Sequence, residues 1–173
     1  MTHTPDRALP VNIAILTVSD SRTHETDTSG RLLAERALAA GHHVVEHRII
    51  PDDSQAIRIT VLEWVQQDGV DVILTTGGTG VTNRDVTVDV IEKLYRKAIP
   101  GFGELFRMLS FREIGSSTVQ SRASAGIVES TFAFVLPGST GACRLAWDEI
   151  LANQLDSTHK PCNFVELLPR IRG

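Results

Sequence analysis

The chain has 173 residues, 42% of them hydrophobic and 22% charged, which suits one globular domain with a single real core and excludes a disordered chain. Its formal net charge is −4 with Lys and Arg scattered, so the concentrated positive surface of a nucleic-acid binder is excluded. No apolar run approaches the roughly 20 residues of a membrane-crossing helix, and no membrane partner is expected.

Met1–Pro10 is polar, holds an Asp and an Arg, and lacks the apolar stretch of a signal peptide, so residues 1–10 are expected to form a flexible arm ahead of one α/β domain over 11–173. Val11–Val18 is almost unbroken apolar sequence, the pattern of a strand buried on both faces of a parallel sheet. After a polar turn, Asp27, Thr28 or Ser29 can cap a helix carrying Leu32, Leu33, Ala37 and Leu38, which stops near Gly41. Val44–Ile50 is a second strand. The next helix has Ile57, Val61, Trp64 and Val65 on one stripe and closes near Gly69.

Asp71–Thr76 is a third strand that runs into Gly77-Gly78-Thr79-Gly80. Strand–helix–strand–helix–strand order with right-handed crossovers predicts a three-layer α/β sandwich with a mostly parallel central sheet. Val86–Ala98 reads as helix, Pro100-Gly101 interrupts it, and Phe102–Ile114 resumes the helical pattern. Gly126–Leu136 reads as two strands joined at Glu129-Ser130, followed by a helix aligning Cys143, Trp147, Ile150 and Leu151. His159–Gly173, with two prolines, is expected to be irregular. Cys143 and Cys162 are not in a Cys-x-x-Cys arrangement and are compatible with a cytoplasmic location.

In such a sheet ligands gather beyond the carboxyl ends of the strands. Four polar segments should lie there: Ser19–Arg22, Pro51–Asp53, Thr76–Gly80 and Pro137–Thr140. Two combine Gly with Ser or Thr ahead of a helix, which lets backbone amides approach an anion. Gly77–Gly80 is neither a Walker A nor a dinucleotide fingerprint, and a tight turn explains its glycines equally well. Behind it, Arg84 and Asp85 are a cation and a carboxylate suited to phosphate and metal, although Arg84 could equally pair with a carboxylate. Asp52 and Asp53 have an ordinary reading as helix caps, with room for one to cap while the other faces the cleft. The six His residues have no metal-ligand spacing, and no Gly-x-Ser-x-Gly elbow supports a hydrolase.

The segments Ile15–Asp20, Asp27–Gly30, Leu74–Asp85, Pro100–Glu104 and Leu136–Ser139 resemble the molybdopterin-binding adenylyltransferase family, in family order and over nearly the whole chain. Phe106–Ser110, Gln120–Arg122 and Pro161–Phe164 are similar to the B branch of its molybdenum cofactor biosynthesis proteins. The resemblance implies Mg²⁺-dependent transfer of AMP from ATP to molybdopterin with release of pyrophosphate. It implies that Asp52 and Asp85 are the acidic catalytic and metal-binding positions. Ser19, Asp20, Thr76, Gly77, Gly78, Thr79, Gly80, Gly138 and Ser139 would bind ligand, with Arg84 as a further phosphate contact. It also implies a homotrimer or homohexamer. A non-catalytic pterin-binding or carrier paralogue is the alternative, and a nucleotide pyrophosphatase a weaker third.

Overall fold

The computed structural model describes residues 8–173. Its first strand, β1 (Asn12–Val18), shows why the apolar run is continuous: Ile13 and Ile15 enter one core while Ala14, Leu16 and Val18 enter the other. The same period of two recurs in β3 (Val72–Thr76), where Val72 and Leu74 oppose Ile73. In β6 (Thr131–Leu136), Phe132, Phe134 and Leu136 oppose Ala133 and Val135. With β2 (His43–Ile50), β4 (Lys97–Ala98) and β5 (Ser124–Val128), they form one six-stranded sheet in the order β2-β1-β3-β6-β5-β4. The pairs β1–β2, β1–β3 and β3–β6 are parallel, whereas β5 runs antiparallel to both β6 and β4.

Helices cover both faces, giving a three-layer α/β sandwich. On one face α1 (Thr28–Ala39) contributes Leu33 and Ala37, and α4 (Pro100–Ile114) contributes Phe102 and Phe106. The C-terminal helical run adds Cys143, Trp147, Ile150 and Leu151 to that side. It comprises α5 (Thr140–Ala146), a π-helical turn (Trp147–Leu151) and α6 (Ala152–Gln154). On the other face α2 (Ser54–Gln66) contributes Ile57, Val61 and Trp64, and α3 (Thr87–Glu92) contributes Val88 and Ile91. Among the described residues no helix is long and apolar enough to cross a membrane.

Three expectations need correction. The helical pattern read over Val86–Ala98 survives only in α3, because the chain turns to pair with β5: Arg96 N–H donates to the Ile127 carbonyl at 2.7 Å, and Lys97–Ala98 becomes an edge strand. Tyr95 is drawn over Gly126, where a side chain would collide with its ring, so tertiary pairing overrides the local period. Pro100 does not interrupt a helix but starts α4 at its first turn, where its missing N–H costs nothing. The tail is not wholly irregular. A 3₁₀ turn (Val165–Leu167) leads into α7 (Leu168–Arg172), and Phe164 packs 4.8 Å from Phe132 and 5.6 Å from Phe134 between ring centroids. Most of the expected N-terminal arm, Met1–Arg7, lies outside the described residues; beyond it, the Leu9 amide donates to Ser157 Oγ at 2.8 Å.

Candidate functional site

Because β1, β2, β3 and β6 are parallel, the segments that follow them emerge at one edge. The chain crosses from β1 outward to β2 and returns past β1 to β3, so the sheet order reverses between β1 and β3. Gly77 sits at that point with φ +96° and lies so close to the Val18 carbonyl that a Cβ would overlap it. Gly138, after β6, packs against Gly77: a Cβ on it would stand 3.2 Å from Gly77 Cα. Thr76 Oγ1 donates to the Pro137 carbonyl at 2.9 Å and ties the same two loops.

Three carboxylates converge beside the glycine loop. Asp53 caps α2, accepting from the Ala56 amide at 2.8 Å, which leaves Asp52 free to turn toward Gly78. Asp52 Oδ1 is buried without a hydrogen-bond partner among the described residues, as is Thr87 Oγ1. Desolvation raises the Asp52 pKa above the ordinary carboxylate value, the charges of Asp20 and Asp85 raise it further, and Arg84 opposes them. Asp85 is held the other way. Its carboxylate accepts from Thr82 Oγ1 at 2.6 Å and from the Thr82 amide at 3.0 Å, and these donors outweigh desolvation to lower its pKa.

Asp20 accepts from Arg84 and, at 3.1 Å, from the Asp52 amide. Those donors keep it ionised below the usual range. Arg84 is therefore engaged with a carboxylate, the second of the two roles open to it in the sequence. Ser19 Oγ accepts from the Arg22 amide at 3.1 Å, and Ser139 caps α5 by accepting from the Ala142 amide at 3.1 Å. Both hydroxyls thus shape the loops that carry them. Thr79 is buried within the loop, and Gly80 lies against the Asp85 carboxylate.

A cavity of 140 Å³ opens at the strand ends, lined by Thr17, Ser19, Asp27, Ser29, Thr76 and Gly77 among others. Asp27 is its buried acid. It caps α1 through the Gly30 amide at 2.8 Å and also accepts from Thr17 Oγ1 at 2.5 Å and His47 Nε2 at 2.9 Å. Burial alone would raise the Asp27 carboxyl, but the His47, Thr17 and Gly30 donors outweigh it and hold it below the ordinary value. Ser29 Oγ donates to the Gly138 carbonyl at 2.9 Å, so α1 supports the loop after β6.

The family described as "Probable molybdopterin binding domain" matches residues 14–157. The chain belongs to this molybdopterin-binding domain family of molybdenum cofactor biosynthesis. It is 50% identical over 164 residues to molybdenum cofactor biosynthesis protein B of Escherichia coli strain K12, covering 95% of this chain and 96% of that protein. A crystal structure of a molybdenum cofactor biosynthesis protein B superposes with a TM-score of 0.86 at 42% identity, over 95% of this chain and 97% of the other. The tungsten cofactor synthesizing protein MoaB from Pyrococcus furiosus gives 0.78 at 34% identity, over 95% and 98%.

Within this molybdopterin-binding fold, Asp20, Asp52, Arg84 and Asp85 gather with the Gly77–Gly80 loop, while Gly138 packs against Gly77. Sequence reasoning passed over two groups. Arg122 donates to the Gly80 carbonyl at 3.2 Å and pairs with Asp89 at 2.7 and 3.1 Å, bracing the loop from after α4. Its only sequence signal was membership of the Gln120–Arg122 motif. His47 lies on β2 with no motif around it, and Asp27 read simply as a cap. Among the described residues no three His, Cys, Asp or Glu side chains form a metal cage. Asp52 and Asp85 nonetheless fit Mg²⁺, which takes one or two carboxylates together with substrate phosphates. The unpartnered Asp52 Oδ1 is the atom that speaks for it.

Proposed function

We propose that the protein acts in molybdenum cofactor biosynthesis as a molybdopterin adenylyltransferase, in the cytoplasm and as a homotrimer or homohexamer. The observation that carries this reading is the buried, unsatisfied Asp52 oxygen beside Asp85 at the glycine loop of a molybdopterin-binding fold. In the reaction, an oxygen of the pterin's terminal phosphate attacks the α-phosphorus of ATP. A new P–O–P linkage forms, the bond to the β-phosphate breaks, and pyrophosphate leaves with the electron pair. Such a transfer needs positioning and charge neutralisation more than covalent help. Asp52 and Asp85 would hold Mg²⁺, which supplies charge neutralisation when bound. The amides of the glycine loop orient phosphate oxygens, and Arg122 fixes the loop through Gly80.

Pyrophosphate release from ATP and Mg²⁺ tests the reading, measured with and without molybdopterin on the wild type and Asp85→Asn. Release that needs pterin and collapses in the variant is the expected result. Pterin binding without release would make the protein a carrier, and pterin-independent ATP consumption would make it a phosphohydrolase.

A further inference from the structure

Three helices begin at the ligand edge with a side-chain cap, and one of these caps is built unlike the others. Asp53 of α2 and Ser139 of α5 are exposed, and each accepts from one backbone amide of its helix. Asp27 of α1 is 2% exposed and accepts from three donors, of which a cap requires only the Gly30 amide. The other two, Thr17 Oγ1 from β1 and His47 Nε2 from β2, lie 3.2 Å from each other as well. The Thr17 hydroxyl proton is committed to Asp27, so Nε2 carries the proton of both His47 contacts.

This triangle closes only over a glycine. A Cβ on Gly30 would collide with Asp27 Oδ2, His47 Nε2 and Thr17 Oγ1. Glycine within a helix is destabilising relative to alanine, and capping alone does not call for it. The first turn of α1 then carries the constraint onward. Gly30 N–H donates to Asp27, Ser29 Oγ donates to the Gly138 carbonyl at 2.9 Å, and the Thr28 hydroxyl lies 2.8 Å from that of Thr140. Gly138 packs in turn against Gly77, where the sheet order reverses. An unbroken series of contacts thus runs from β2, at the sheet margin, to the two loops beside the 140 Å³ cavity. Asp27, Ser29 and Gly138 line that cavity and His47 does not, so His47 acts on it only through them.

We infer that His47 is a positioning residue for pterin binding: its Nε2–H locks Asp27, and through Asp27 the first turn of α1 and the Pro137–Thr140 loop, in the arrangement that receives the ligand. That this ligand is molybdopterin rests on the proposed function. The ionised state that the three donors impose on Asp27 keeps the lock closed at neutral pH.

The test is calorimetric titration of the full-length protein with molybdopterin, comparing the wild type, His47→Gln and His47→Asn. Gln can place an amide N–H where Nε2 stands, and Asn, one methylene shorter, cannot. The expected result is a Kd raised about tenfold in His47→Asn and kept within about threefold in His47→Gln, as for one hydrogen bond to an ionised acceptor lost or retained. In the pyrophosphate assay the loss in His47→Asn should fall on the KM for pterin, with kcat within about twofold of wild type. Ser29→Ala interrupts the same series further on. The Ser29→Ala/His47→Asn double variant should therefore bind no more than about twofold more weakly than the weaker single variant. Losses that multiply, wild-type affinity in His47→Asn, or an equal loss in both His47 variants overturns the inference. So does a loss that tracks the unfolded fraction seen by circular dichroism. Absence of pyrophosphate release from the wild type would sink the transferase reading alone, because the titrations need no turnover.

Discussion

Asp52 and Thr87 meet over Gly78: a Cβ on that glycine would stand 2.5 Å from Asp52 Oδ1 and collide with Thr87 Oγ1, and neither oxygen has a hydrogen-bond partner among the described residues. Folding has left a buried carboxylate oxygen without a protein donor, a cost that a ligand at the site would offset. Because burial and two neighbouring carboxylates raise its pKa, the folded state favours the protonated form. The associated stability is present below the ordinary value of 3.8 and is lost as pH rises through the shifted one. At pH 7 Asp52 therefore opposes folding. Asp52→Asn should raise the melting temperature of the ligand-free protein at pH 7, with the gain vanishing below about pH 4. The same change should cut pyrophosphate release by about 100-fold. Melting curves across pH, paired with the release assay, check both halves.

The glycines of the site differ sharply in what they tolerate. Gly77→Ala combines a left-handed φ with overlap on the Val18 carbonyl and should cost about 2–4 kcal/mol. Gly141, in α5, has open space where a Cβ would go, and Gly141→Ala should change stability by no more than about +1 kcal/mol. Urea unfolding of the two variants side by side measures the contrast, and equal effects would contradict the packing described.

Asp27→Ala should destabilise the fold by about 1–3 kcal/mol, because it removes the α1 cap and strips His47 and Thr17 of a shared acceptor. The folded Asp27 pKa is lowered, so its contribution holds above the ordinary value of 3.8 and fades as pH falls through the lowered one. Acid unfolding should accordingly begin at a higher pH in the variant, while its stability falls less steeply with pH than that of the wild type, as urea melts and circular dichroism at pH values on both sides of 3.8 would show.

The two thiols should react in sequence. Burial pushes the Cys143 pKa up to about 11 and hides its sulfur, while Cys162 is exposed. A thiol-specific dye near neutral pH should label one cysteine in the native protein and the second only after denaturation. Mass spectrometry of the labelled peptides identifies which.

Much of this architecture could be read from the residues because burial on both faces of a sheet leaves an unmistakable mark. Val11–Val18, Asp71–Thr76 and the doublet ending at Leu136 are largely apolar, and the polar segments that follow the parallel strands mark the ligand edge. Lys97–Ala98 left no such mark. Two exposed residues become a strand only because β5 offers them a partner, and a local period cannot register a partner. The same applies at the site. Asp52 and Asp85 stand beside glycine-rich loops and could be singled out, whereas Arg122 reaches Gly80 across 42 positions of sequence. Asp27 was visible as a helix cap, but His47, the base beside it, was not, since only the parallel pairing of β1 and β2 brings them together.

The central sheet divides the interior unequally. The larger share lies with α1, α4 and the C-terminal helices, and the smaller beneath α2 and α3. Segments with less buried apolar surface open at lower free energy than the rest of a fold. By that measure the α2–α3 face should be the softer of the two and the opposite face the firm one. Warming should loosen the softer face before the firm side yields, so the temperature at which ligand is released need not be the temperature at which the protein melts.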